Sequence, residues 1–134
     1  PHILAPDIRI AAESASFAFP FLRLGAMPEG GSTALLPRLV GAGRAMDLLL
    51  RAATVSAREA LNMGLVTAVH PDDQLRAAAL ALAELIASLP PLQVALTRRM
   101  LRENAGADDA DAIMRTENNA FIEMLQALQK DKPL

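Results

Sequence analysis

Hydrophobic positions change their period once along the chain. In APDIRIAAE, Ile8 and Ile10 alternate with Asp7 and Arg9, and SASFAF repeats the two-residue period with Phe17 and Phe19 before Pro20 stops it. This alternation predicts two short strands. Beyond Pro20 the period lengthens. Residues 31–40 carry Leu35, Leu36, Leu39 and Val40 at helical spacing, and Pro37 is expected to shorten or kink that helix. Residues 42–52 place Met46, Leu49 and Leu50 on one face of a second helix. SARE at 56–59 has the form of a capping box, in which Ser56 accepts from the Glu59 N–H while the Glu59 side chain reaches back. The short helix that follows meets Gly64, a residue suited to a left-handed C-cap, and LVTAV then reads as a strand. Asp72 or Asp73 is expected to cap a helix bearing Leu75, Ala79, Leu82, Leu85 and Ile86, ended by Pro90-Pro91. Two more helices are expected, over 92–104 and over 109–130, the last with Ile113, Phe121, Met124 and Leu128. The pattern implies a mixed α/β protein with a helical C-terminal part.

Composition narrows the function classes. The chain has 134 residues, of which 52% are hydrophobic, enough for one domain that buries roughly two thirds of its unfolded surface. A net charge of −2 leaves no electrostatic footprint for nucleic acid or an anionic membrane. Cysteine is absent, which excludes disulfides, thiolate metal sites and thiol nucleophiles within the chain. The uncharged stretch 85–97 is broken by Pro90-Pro91 and is too short to span a bilayer. No basic segment precedes an apolar one at the start. The expectation is a soluble, cytoplasmic protein with no membrane or nucleic-acid partner.

Few residues suit chemistry. His2 lies at a terminus and His70 precedes a proline in an expected loop; without a third ligand at suitable spacing no metal is expected. Arg98, Arg99 and Arg102 could hold phosphate groups, but a solvated face of an amphipathic helix accounts for them better. Asp108, Asp109 and Asp111 suit the start of the last helix. Glu29 stands apart. It follows the apolar run containing Leu22, Leu24 and Met27 and precedes Gly30-Gly31-Ser32-Thr33, which reads as a helix entrance where backbone can approach another group closely. Two readings fit: a carboxylate stabilised by helix N–H groups, or an acid/base in a greasy cleft suited to moving a proton on a carbon beside a thioester.

The order of motifs carries a resemblance. D-I-R-I-A-A-E is followed by F-x-x-P, L-G-x-x-P, a glycine pair, L-P-R-L-V-G, A-M-x-L-L and S-A-x-E-A-x-x-x-G-L-V, together covering residues 5–71. This resembles the enoyl-CoA hydratase/isomerase (crotonase) superfamily, and the later helices resemble its trimerisation helices. The resemblance implies the C-terminal part of a spiral of ββα units over 1–71 and a helical oligomerisation region over 72–134. It also implies an acyl-CoA thioester as substrate, with coenzyme A part of that substrate and no separate cofactor, and assembly as a homo-oligomer, a trimer or hexamer. In this family two backbone N–H groups stabilise an enolate-like intermediate, and loss of one such donor costs on the order of 3 kcal/mol.

The chain also departs from the family. Hydratases use two glutamates. The place of one would fall at or before Pro1, and that of the other, in a G-x-P-E motif, is occupied here by Phe21 of AFPF. In P-E-G-G, Glu29 instead resembles the single acidic residue of Δ3,Δ2-enoyl-CoA isomerases and related acyl-CoA isomerases. The implied site has Glu29 as acid/base and Phe21, Leu24, Met27 and Pro28 as acyl-pocket wall. An enoyl-CoA hydratase homologue is the alternative within the class, and a catalytically inactive oligomerisation module is the alternative outside it. Family members are about twice as long, so the oxyanion donors are expected before Pro1. The terminal LQKDKPL resembles a family tail whose basic residue reaches a CoA phosphate.

Overall fold

Short strands form where the alternation predicts them, each three residues long. In the computed structural model, which describes residues 4–130, β1 (Ile10–Ala12) pairs in parallel with β4 (Ala68–His70), and β2 (Ser16–Ala18) pairs antiparallel with β3 (Thr54–Ser56). Ile10 lies opposite Ala68 and Phe17 opposite Val55. His2 and the tail 131–134 lie outside the described residues. The chain divides into two units, Pro1–Leu80 and Ala81–Leu134. Among the described residues no single helix is long and apolar enough to cross a membrane.

The first strand inverts the face that its isoleucines suggest. Ile8 is exposed and Ile10 half-buried, whereas Arg9 and Ala11 point inward, with Arg9 only 9% exposed. A buried guanidinium is tolerated when its donors are satisfied. Here Arg9 Nε donates to the Leu65 carbonyl at 2.7 Å and Nη1 to the Pro6 carbonyl at 2.6 Å. Burial lowers the Arg9 pKa below its usual value. The Arg9 carbonyl accepts from both the N–H and the hydroxyl of Thr67, at 2.7 and 2.8 Å. These bonds lock β1 to the segment leading into β4. His70 is therefore not in a loop; it ends β4 opposite Ala12, and its carbonyl accepts from the Glu13 N–H at 2.9 Å.

Phe17 and Phe19 do face inward, joining Leu36, Val40, Leu48, Val55, Leu65 and Val66 in the core of the first unit. Each such buried side chain contributes about 1.5–3 kcal/mol relative to exposure. Helix α1 (Ser32–Val40) runs through Pro37 and stops at Gly41, whose N–H donates to the Pro37 carbonyl. Helix α2 (Ala42–Leu50) corrects the expected face: Ala45 and Leu48 are buried, while Met46 and Leu50 are exposed and Leu49 is half-buried. Helix α2 packs on α1, and it is Ala45 and Leu48 that join Leu36 and Val40 in the core while Met46 stays outside. The end of α2 is a Schellman closure, with Ala53 N–H donating to Leu48 O at 2.9 Å and Ala52 N–H to Leu49 O at 3.2 Å; Ala52 takes φ 48°.

Ser56 caps α3 (Ala57–Asn62) as SARE predicts. Its side chain accepts from the Glu59 N–H at 3.3 Å, and the Glu59 carboxylate accepts from the Ser56 N–H at 2.8 Å and from the Ser56 hydroxyl at 2.6 Å. These bonds to Ser56 hold the Glu59 carboxyl below its usual pKa. Gly64, at φ 81°, closes the helix, and a Cβ there would meet the Leu39 carbonyl oxygen at 3.3 Å. The closure also takes Leu65 and Val66 out of the expected strand: both N–H groups donate to the Ala60 carbonyl, at 2.8 and 3.3 Å, and the strand begins only at Ala68.

Helix α4 (Leu75–Ala87) starts without the expected aspartate cap. Asp72 is engaged across the fold, accepting from the Ser14 N–H at 3.1 Å and its hydroxyl at 2.8 Å, and the Leu75 N–H donates to the Pro71 carbonyl. In the second unit, α5 (Pro91–Glu103) and α6 (Ala110–Lys130) bury Leu96 and Ala120. Asp109 caps α6, accepting from the N–H groups of Asp111 and Ala112 at 2.9 and 3.3 Å. Arg99 of the arginine cluster donates to Glu123 at 2.5 Å, an exposed bond that raises the Arg99 pKa.

Candidate active site

A bend after β2 builds the site. Pro20 ends the strand, and a single 3₁₀ turn (Leu22–Leu24) follows, closed by Gly25 at φ 67° with its N–H on the Leu22 carbonyl. Ala26 N–H returns to the Phe21 carbonyl at 2.9 Å, and Arg23 Nη2 donates to the Ala52 carbonyl at 3.1 Å, tying the turn to the end of α2. A second reversal comes at once. Gly30 and Gly31 both have positive φ, 61° and 77°, and the Ser32 N–H donates to the Glu29 carbonyl at 3.1 Å. This pattern suits a turn of the I′ kind, which glycine adopts without the penalty a Cβ brings. Gly31 then caps α1 through its carbonyl, which accepts from Ala34 and Leu35 at 3.0 and 2.9 Å.

The two reversals enclose an open cavity of about 680 Å³ in the first unit. Its wall is mostly apolar, drawn from β1, β2 and the bend, and includes Phe17, Phe19, Phe21 and Leu24. Glu29 is the one ionisable side chain on that wall among the described residues. It remains solvent-accessible, so its carboxylate meets both water and the apolar surface. A cavity of this size with few polar groups fits a small-molecule site.

The structure thus brings Phe21, Leu24 and Glu29 to one cavity. Pro28 lines a separate apolar groove of about 310 Å³ with Leu22, Thr33, Pro37, Met46 and Leu49. Met27 is 81% exposed and lines neither. Among the described residues no group of three or more acidic, histidine or cysteine side chains is placed to hold a metal ion.

One residue on the cavity wall escapes sequence reasoning. Ser32 is 1% exposed, and its Oγ is the one buried side-chain oxygen or nitrogen without a hydrogen-bond partner among the described residues. Leaving a buried hydroxyl unpaired costs about 1–3 kcal/mol. The sequence signal was slight: a serine one place inside a helix whose cap position is glycine, where its oxygen is not needed as the cap.

Comparison with known proteins identifies the family. Residues 2–132 match the family described as enoyl-CoA hydratase/isomerase. The probable enoyl-CoA hydratase EchA12 of Mycobacterium tuberculosis is 37% identical over 127 residues, covering 92% of this chain and 45% of that protein. The 1,2-epoxyphenylacetyl-CoA isomerase of Escherichia coli is 39% identical over 98 residues, covering 73% of this chain and 37% of that protein. A putative enoyl-CoA hydratase of Thermobifida fusca, solved in complex with CoA, superposes with a TM-score of 0.90 at 34% identity, covering 95% of this chain and 49% of that one. The chain spans about half the length of the relatives it matches. With its motif order, its mixed helices and small sheets and these likenesses, the chain belongs to the enoyl-CoA hydratase/isomerase family.

Proposed function

We propose that the protein carrying this chain moves a carbon–carbon double bond within an acyl-CoA thioester, with Glu29 as the acid/base. The observation that carries this reading is the pairing of one carboxylate, Glu29, with an apolar wall that includes Phe21. A 1,3-shift needs one base. The Glu29 carboxylate takes a proton from C2 of a 3-enoyl thioester, and the electron pair moves onto the thioester oxygen. As that pair returns, the protonated carboxyl delivers the proton to C4, and the product is the 2-enoyl thioester. The catalyst ends as it began. The E. coli relative, named as an acyl-CoA isomerase, lends support. So does the CoA complex of the structural relative, for the thioester as ligand.

Hydration is the second reading, favoured by the names of several relatives, EchA12 among them. Adding water calls for one group to activate it and another to deliver a proton. The apolar Phe21 stands where the resemblance places one of a hydratase's glutamates. The two readings separate on product: a 3-enoyl-CoA should be converted to the 2-enoyl-CoA faster than water adds to crotonyl-CoA. The reverse order would assign the protein to hydration.

Assembly follows from the same resemblance. Met114, Phe121, Leu125 and Leu128 recur along one side of α6 and are exposed, and a contiguous apolar surface of this kind marks an interface. A homo-oligomer, a trimer or a pair of trimers, is expected in sedimentation velocity at micromolar protein, and a monodisperse monomer would refute it.

A further inference from the structure

Ser32 has no part in the proton shuttle, yet it is placed as though for a ligand. It opens α1, a nine-residue helix whose cap, Gly31, offers no side-chain oxygen. Ser32 lines the cavity, and its hydroxyl, closed to solvent, has no hydrogen-bond partner among the described residues. The turn Glu29-Gly30-Gly31-Ser32 brings both of its end residues to the wall of one cavity, with the Ser32 N–H on the Glu29 carbonyl at 3.1 Å. The other polar side chains on this mostly apolar wall are Ser16 and Glu29, and a hydroxyl in such a setting fixes orientation and selects among ligands. Rotation about χ1 moves Oγ among three staggered positions, so its direction can adapt to an occupant.

We propose that Ser32 is a specificity residue that favours acyl thioesters bearing an oxygen on the acyl carbons next to Glu29, and that its hydroxyl hydrogen-bonds that oxygen. This rests on the acyl-CoA reading, since it takes the occupant to be an acyl thioester. An apolar acyl group leaves the hydroxyl unpaired, whereas a hydroxylated one satisfies it. Discrimination by such a site is large because the penalty falls on the ligand that lacks the polar group.

The test uses the full gene product and its Ser32→Ala variant, with butyryl-CoA, 3-hydroxybutyryl-CoA and 4-hydroxybutyryl-CoA as ligands in calorimetry. Binding is read without turnover. The unsubstituted protein is expected to bind one hydroxylated thioester roughly tenfold more tightly than butyryl-CoA, and Ser32→Ala to abolish that preference while butyryl-CoA affinity holds. The variant's melting temperature is expected to be no lower, because an unpaired buried hydroxyl has been removed. Equal affinities for the three ligands in the unsubstituted protein would overturn the assignment, as would a preference that survives Ser32→Ala. A clear fall in melting temperature would also overturn it, by showing that the hydroxyl has a structural partner. Failure of all three thioesters to bind would instead remove the acyl-CoA reading, and this proposal with it.

Discussion

Replacing Glu29 by Gln is expected to lower double-bond isomerisation by roughly 10²–10⁴-fold, the usual contribution of a positioned general acid/base. Glutamine keeps the length and most of the hydrogen bonding of glutamate but cannot accept the C2 proton. On the proposed reading the loss falls on kcat, because the apolar wall of Phe17, Phe19, Phe21 and Leu24 is untouched. The fold should not suffer either. The Gly30-Gly31 turn is held by the Glu29 carbonyl, not by its side chain, and the Glu29 side chain is solvent-accessible. The measurement is turnover of a 3-enoyl-CoA by the full gene product and by its variant. Undiminished kcat in the variant would take Glu29 out of the mechanism.

Leu36→Ala is expected to destabilise the fold by about 2–5 kcal/mol, the range for emptying a leucine-sized space in a packed core. Leu36 is 0% exposed within the described residues and packs in the core that includes Val40, Leu65 and Val66. It lies on the helix that follows the Glu29 turn, so its loss loosens the wall that carries Ser32. Leu50→Ala provides the contrast. Leu50 is 62% exposed, and truncating it should change stability by no more than about 0.5 kcal/mol, as for an ordinary surface site. Urea unfolding of the two variants beside the parent protein checks both. Equal costs would show that the core does not run along the Ala45 and Leu48 side of α2.

Local chemistry wrote much of this fold into the sequence. The Ser56–Glu59 box and the Gly64 closure form as read because each involves groups a few residues apart, whose bonds need little from the rest of the chain. The α5 and α6 boundaries fall within a residue of their predicted starts and ends for the same reason: Pro90-Pro91 and Asp109 act on neighbouring backbone. The family was legible because many short motifs recur in one order, a signal that does not depend on any single contact. Glu29 was legible as an acidic residue between an apolar run and two glycines, and so was its expected neighbour Phe21.

Tertiary structure decided what depends on partners far along the chain. Arg9 turns inward because the Leu65 carbonyl, 56 residues away, accepts from its guanidinium, a bond that periodicity cannot register. Asp72 fails to cap α4 because Ser14, 58 residues away, offers it two donors. In α2 the hydrophobic pattern identifies the helix, but the core takes in Ala45 and Leu48 and leaves Met46 and Leu50 outside. The same holds at the site. The family resemblance implied one pocket wall from Leu24, Met27 and Pro28, yet Leu24, just before Gly25 at the end of the 3₁₀ turn, lines the cavity and Pro28 another groove. The unpaired hydroxyl of Ser32 was invisible in the sequence, since such a group is defined by what surrounds it. The sequence by itself determined the caps of α3 and α6, the family and the acidic residue at the glycine turn, because covalent neighbours suffice for them. Only the folded chain decided which faces are buried and which side chains share the cavity, because burial and hydrogen bonding are settled by groups that meet in space.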